Sequence, residues 1–354
     1  MTTPGQRASP PPEAYRLPDA QGREYLPAAY RALDPATRAP RAPALPRNVF
    51  IEVTNHCNLL CETCPRTFVS YEKPHTLSWD DFLRVVAQFP GLERAVLHGI
   101  GEPLLNRDLD RMIAHLKGLG AHVLFNTNAT LLSDDWARRL VAAGLDELRV
   151  SIDGANPDTY ARIRGAPLFD KVLGNLQRLV EIQKALGADQ PRPSLWMTGL
   201  KENIAELPDV VRIAARLGVP EVYLQRMVHY GDAGIAGPGL LEGGHGVFAT
   251  LDAQVDRIVA DSEALARELG VALRASGATT APRSIDGGGP PRPWSDCLRP
   301  WTTAYITANG NALPCCISPF ATSDYASLQM GNVFQQPFED LWNAERYQTW
   351  RERL

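Results

Sequence analysis

Between residues 48 and 225 the chain repeats one pattern: a short apolar run, a polar turn, then a stretch of helical periodicity. The strand-like runs are 48–53, 94–98, 123–126, 147–152, 195–198 and 221–225. Helical stretches follow at 78–88, 107–119, 133–143, 169–186 and 205–217. Ser78 stands where an N-cap is wanted, and Gly120, Gly144 and Gly218 stand where a helix must stop. Alternation of this kind predicts a parallel sheet with its helices outside. Six units fall short of the eight of a closed TIM barrel, so the expected class is α/β, a partial (β/α)6 TIM-like barrel. Short apolar strands predict burial on both faces.

The flanks differ in composition. Residues 1–47 are Pro-rich and lack the apolar core of a signal peptide, so they are expected to be an N-terminal extension, partly disordered. The barrel is expected over 48–230. A Gly-rich loop, a helix near 248–269, a short strand near 271–274 and a Gly/Pro linker fill 231–296. The last unit, 297–354, has a hairpin signal around Asn309-Gly310-Asn311 and a helical tail from Phe338. A net charge of −4 on 354 residues gives no global pull toward nucleic acid. No run of eighteen apolar residues predicts a membrane span. A cytoplasmic location is the expectation, and in a reducing compartment thiols favour metal or catalytic roles over structural bridges.

The six cysteines fall in two groups: Cys57, Cys61 and Cys64 near the start, Cys297, Cys315 and Cys316 near the end. The first three lie within eight residues, directly after the first strand. Three thiolates so spaced can hold three irons of a [4Fe–4S] cube and leave the fourth iron open to a ligand. Zinc is the competing reading, with His56 completing a Cys3His set. His56 is adjacent to Cys57, however, and CxxxCxxC departs from the paired CxxC of zinc sites. Spectator thiols are the third reading.

Ligand sites in parallel α/β sheets lie at the carboxyl ends of the strands. The cysteine loop occupies that end of the first strand, and His98-Gly99-Ile100-Gly101-Glu102-Pro103 that of the second. Asn126-Thr127-Asn128 ends the third strand, and Ser151-Ile152-Asp153-Gly154 the fourth.

This constellation resembles the radical S-adenosylmethionine (SAM) superfamily over 48–225. The region from Cys297-Leu298-Arg299-Pro300-Trp301 through Cys315-Cys316 to Leu341-Trp342-Asn343 resembles the small α+β SPASM/twitch extension of one branch of it. The resemblance implies that Cys57, Cys61 and Cys64 ligate a [4Fe–4S] cluster whose open iron chelates SAM. It implies that Gly101 and Glu102 belong to the GGEP motif backing the methionyl amino group; here the segment reads Gly-Ile-Gly-Glu-Pro, so Gly99 is the weaker match. Glu102, a carboxylate beside glycines, is expected to want a cationic partner. Asn126, Asn128, Ser151 and Asp153 become candidates for ribose or methionine contacts. Arg164 resembles an arginine that pairs with the methionyl carboxylate, which suits its planar fork. Structural alternatives stand beside these: tight turns for the glycines, an Asx-turn for Asp153, a solvated charge for Arg164.

Cys297 and Cys315 resemble the first ligand pair of an auxiliary cluster, with Cys316 as a third thiolate and an oxygen such as Asp324 as a possible cap. A two-cluster SPASM domain would need more cysteines than remain. The alternative is a degenerate unit whose cysteines are buried apolar residues. The implied activity is an oxidoreductase that forms a 5′-deoxyadenosyl radical and takes a hydrogen atom from a substrate. The expected substrate is a small polar metabolite (a sugar, aminocyclitol or nucleoside-linked sugar of antibiotic or other natural-product biosynthesis), with dehydrogenation the expected outcome. Epimerisation, decarboxylation and peptide maturation are the alternatives. A reductant such as flavodoxin or ferredoxin is the expected protein partner. Arg226, His229, Tyr230, Trp301 and Tyr305 are candidates for lining the barrel mouth.

Overall fold

A computed structural model describes residues 38–227, 252–275, 298–320 and 324–353. Seven strands run in parallel order from β1 to β7: Asn48–Ile51, Arg94–Val96, His122–Thr127, Glu147–Ser151, Arg192–Gly199, Glu221–Arg226 and Ala272–Ala275. The helices between them are α1 (Trp79–Val86), α2 (Leu109–Gly118), α3 (Asp134–Ala143), α4 (Pro157–Arg164), α5 (Phe169–Leu186), α6 (Leu207–Leu217) and α7 (Ala253–Leu269). The C-terminal segments are α8 (Arg299–Thr302), β8 (Thr303–Ile306), β9 (Asn311–Leu313), β10 (Gly331–Asn332), α9 (Phe338–Trp342) and α10 (Glu345–Glu352).

The helices start and stop where local chemistry dictates. Ser78 and Ser133 each accept a hydrogen bond from a first-turn backbone N–H of α1 and α3. Gly144 and Gly218 end α3 and α6 in the left-handed conformation that glycine adopts without strain. Helix α4 carries no strong apolar stripe, and the sequence reading passes over it. Asn156 caps it, Pro157 starts it, and Tyr160 and Ile163 alone bury its inner face.

Two features go beyond the sequence reading. First, the last unit joins the barrel through the sheet. Strand β8 pairs parallel with β1, from Asn48 opposite Thr303 to Ile51 opposite Ile306. One ten-stranded sheet results, in the order β10-β9-β8-β1-β2-β3-β4-β5-β6-β7, with only the β8–β9 and β9–β10 pairs antiparallel. Strand β8 thus covers an edge of β1 that a six-stranded barrel would leave unpaired.

Second, burial on both faces holds for His122–Phe125 of β3 and for all of β8, but not for β4 or the end of β5. Leu148 and Val150 of β4, and Leu195 and Met197 of β5, are fully buried in a core shared with the helices. Their neighbours Glu147, Arg149, Ser151, Trp196 and Thr198 are half-buried on the opposite face. Side chains alternate across a strand, so on β4 and the end of β5 one face packs on helices while the other is only half-covered. Polar and aromatic groups line it: Trp196 stacks on Tyr223 at 4.0 Å, and the Arg149 guanidinium lies 4.5 Å over the indole. Among the described residues no helix is long and apolar enough to cross a membrane.

Candidate functional site

The cysteine loop is gripped from three sides. Glu102 N–H of the loop after β2 donates to His56 O at 2.8 Å, and Glu62 N–H donates to Ile163 O at the end of α4 at 2.8 Å. From the end of β3, Asn128 Nδ2 donates to Asn58 Oδ1 at 2.9 Å, and Asn58 Nδ2 donates to Thr130 Oγ1 at 2.8 Å. Arg66 Nε closes the base of the loop on Asn55 O at 2.9 Å. Two glycines permit the approach. A Cβ at Gly101 would overlap Thr54 O, and one at Gly165, which has φ +75°, would overlap Leu60 O. Gly101 therefore serves close backbone packing under the loop.

Cys57, Cys61 and Cys64 are free thiols turned into this frame, Cys61 buried and the others half-buried. Burial pushes all three up, Cys64 to about 12. Unmetallated, they hold their protons; iron must displace them. Among the described residues no group of three or more His, Cys, Asp or Glu side chains is arranged to hold a single metal ion. A four-iron cube is wider than one ion and reaches thiols that one ion cannot.

Glu102 is 2 % exposed. Its Oε1 accepts from Thr127 Oγ1 at 2.6 Å and Leu104 N–H at 3.2 Å, and its Oε2 from Asn128 N–H at 2.7 Å. Burial nevertheless raises its pKa, because those neutral donors offset desolvation only in part. The Arg164 charge pulls the same way as the donors, and the bonds clamp the end of β2 to the end of β3.

Asp153 and Arg164 form a buried pair, 2.9 Å apart, their side chains 2 % and 11 % exposed. Asp153 has φ +48°, uncommon for a residue other than glycine. Thr198 N–H donates to its Oδ1 at 2.6 Å, and Asn203 Nδ2 donates to its backbone O at 3.1 Å. Burial works against the Arg164 charge, but Cys61 and Asp153 outweigh it and hold its pKa above the usual value. Arg164 is thus no solvated surface charge.

Among the described residues, Arg164 Nε (a donor), Asn126 Oδ1 (an acceptor) and Tyr160 Oη are buried in this region without a hydrogen-bond partner. Buried polar groups seldom stay unpaired, so each asks for a ligand atom of opposite character. A carboxylate would serve the guanidinium, and an amine or hydroxyl the amide oxygen. Ser151 lies on the half-covered face, level with Trp196 on β5.

At the second thiolate group, Cys315 and Cys316 are both buried, 8 % exposed. Ser318 Oγ donates to Cys315 Sγ at 3.4 Å, and Arg299 Nη1 donates to Cys316 Sγ at 3.0 Å. Cys297 lies outside the described residues, as do His229, Tyr230 and the Arg226 side chain. Asp324 is exposed, and its Oδ1 accepts from Ser327 N–H at 3.2 Å. Trp301 is buried, its Nε1 donating to Ala39 O at 2.7 Å, so it packs in the core rather than over the mouth.

Sequence reading missed Glu52, one residue beyond β1. It is 2 % exposed, and burial raises its pKa to about 7. With Asn55, Tyr71, Glu72, Ile100, Thr307, Pro319 and Tyr325 it lines a pocket between the cysteine loop, the loop after β2 and the C-terminal hairpin. One signal was available: a lone acid inside an otherwise apolar strand run.

Comparison with known proteins bears on this geometry. A family model described as the radical SAM superfamily matches residues 51–214, and one described as an iron–sulfur cluster-binding domain, SPASM, matches 297–354. The chain belongs to the radical SAM superfamily. Radical SAM membership brings a [4Fe–4S] cluster and SAM as cofactors, and the SPASM domain brings auxiliary iron–sulfur. The tungsten-containing aldehyde ferredoxin oxidoreductase cofactor-modifying protein of Pyrococcus furiosus is 27 % identical over 187 residues, 51 % of each chain. The chain thus matches about half of that protein's length. The AdoMet-dependent heme synthase of Methanosarcina barkeri is 27 % identical, over 87 % of this chain and 85 % of its own. The PqqA peptide cyclase of Xanthomonas axonopodis is 24 % identical, over 84 % of this chain and 74 % of its own. In fold, the chain is similar to Streptococcus suis SuiB bound to precursor peptide SuiA, with TM-score 0.66 at 16 % identity, over 88 % of this chain and 67 % of that one.

Proposed function

We propose that this radical SAM enzyme abstracts a hydrogen atom from a peptide substrate in a maturation reaction. The observation that carries the reading is the relation to a peptide cyclase across both the barrel and the C-terminal unit, 84 % of this chain. The half-covered face with its Arg149–Trp196–Tyr223 stack also offers an extended chain a broad polar and aromatic wall. Sugar or aminocyclitol dehydrogenation, the first expectation, has less support. A second reading, action on a small molecule, is favoured by the relation to a heme synthase over 87 % of this chain.

In this reading Cys57, Cys61 and Cys64 hold the cluster, and Cys315, Cys316 and Cys297 are candidates for the auxiliary one. When bound, cluster and SAM supply a 5′-deoxyadenosyl radical on reduction by a flavodoxin- or ferredoxin-type donor. The chain's own residues do the positioning. Arg164, fixed by Asp153, offers its free Nε to the SAM carboxylate. Asn126 offers its amide oxygen to an amine or ribose hydroxyl. Glu102 and Asn128 keep the cysteine loop and the end of β3 in register. Ser151 borders the same face. Helices pack the far side of the sheet, which keeps water from reaching the site through the strands.

Incubation of anaerobically reconstituted protein with SAM, dithionite and deuterated candidate substrates tests the proposal. Deuterium reaching 5′-deoxyadenosine from a peptide supports it. Transfer only from a small metabolite favours the second reading, and no 5′-deoxyadenosine under any condition sinks both.

A further inference from the structure

Glu52 ties together three segments that are distant in sequence. Its Oε2 accepts from Ile100 N–H of the Gly-Ile-Gly-Glu-Pro loop at 2.9 Å and from Tyr305 Oη of β8 at 3.1 Å. Its Oε1 accepts from Ala308 N–H, in the turn after β8, at 3.2 Å. Gly99 makes the meeting possible. A Cβ there would overlap both Glu52 Oε2 and Tyr305 Oη. The glycine that fitted the family motif poorly is thus accounted for by packing against a carboxylate. Phe50, one turn of the pleat earlier on the same face, stacks on Tyr305 at 6.0 Å and extends the joint.

We propose that Glu52 is a positioning residue: a buried carboxylate that couples the seating of the C-terminal hairpin to the conformation of the loop at Ile100. The chemistry of the joint supports this. A carboxylate between two backbone N–H groups and a phenol holds all three only while the three segments stay together. Loss of one donor leaves the others on a poorly compensated buried acid. The joint is also sensitive to protonation. Burial is the main cause of the raised Glu52 pKa, with the Glu72 carboxylate adding to it, while the Ile100 and Ala308 amides and the Tyr305 hydroxyl pull the other way. Glu72 is itself bonded to Tyr325 Oη at 2.6 Å. The closed joint binds a proton more tightly than an open, solvated Glu52 does, so raising the pH from the ordinary carboxylate range through about 7 favours opening, and the effect levels off above that.

Hydrogen exchange on the full chain without its clusters tests the coupling. After correction for intrinsic exchange, segments 99–105 and 303–313 should lose protection together as pH rises from about 5.5 to 8. Glu52→Gln should erase that step. Tyr305→Phe, which alters only β8, should speed exchange at Ile100 by about tenfold. Loosening confined to 303–313 in Tyr305→Phe, or a pH step that survives in Glu52→Gln, overturns the proposal. Should Glu52→Gln fail to fold, the Tyr305→Phe arm and the wild-type pH series decide it alone. The consequence for the cofactor rests on reading the Ile100 loop as part of the SAM cradle. Reconstituted Tyr305→Phe should then bind SAM about tenfold more weakly, about 1.4 kcal/mol. Unchanged SAM affinity with both segments loosened together would sink that reading of the loop and leave the joint standing.

Discussion

At the residue scale, charge burial decides most of what this site can do. Arg164 and Asp153 pair where water scarcely reaches. Arg164→Ala should strand an uncompensated acid and lower stability by about 3–5 kcal/mol in urea denaturation. Arg164→Lys keeps the charge but loses the planar fork, so it should retain more stability while weakening SAM binding. His98 shows the opposite case. Burial, then the nearby Arg149 charge, depresses its pKa to about 3, so it is held as neutral imidazole. The unfolded chain binds that proton near pH 6.5 and the folded chain does not, so this contribution is present above 6.5 and is lost as pH falls toward 3. Between pH 7 and pH 5, His98→Gln should recover about 2 kcal/mol of the wild-type loss. Equal losses in the two proteins would show that the imidazole is solvated.

At the element scale, the loop of the first three cysteines is built in advance of its metal, with backbone and amide bonds from β2, β3 and α4. Its thiols are raised by burial, so cluster assembly must release protons. Reconstitution should therefore reach a higher iron content at pH 8 than at pH 6.5. The second group is tested by counting. Cys315→Ala should take iron from about eight to about four per chain, as expected for the loss of one four-iron cluster. An unchanged count near four would mean that no second cluster forms. Motif reading found both groups because ligand type and spacing are local. It did not show the bonds that Glu102 takes from Thr127 and Asn128, more than twenty residues away, and it missed Glu52, whose donors lie on β8 and at Ile100.

At the scale of the whole molecule, the C-terminal unit completes the sheet. Removing residues from 298 onward would strip β8 from β1 and leave a parallel edge exposed. Such a truncation should aggregate in size-exclusion chromatography rather than behave as an independent barrel; a monodisperse, cooperatively melting fragment would contradict this. The sequence alone determined the alternating elements, the helix stops at Gly144 and Gly218, and the two thiolate groups, since each depends on neighbours within a few residues. It also determined the superfamily, because CxxxCxxC after a first strand is a local pattern. Only tertiary structure decided that β8 lies beside β1, that β4 and the end of β5 keep one face half-covered, and that Glu52 is shared between distant segments. Those outcomes depend on pairing and burial between residues tens to hundreds of positions apart, where neither spacing nor periodicity carries information.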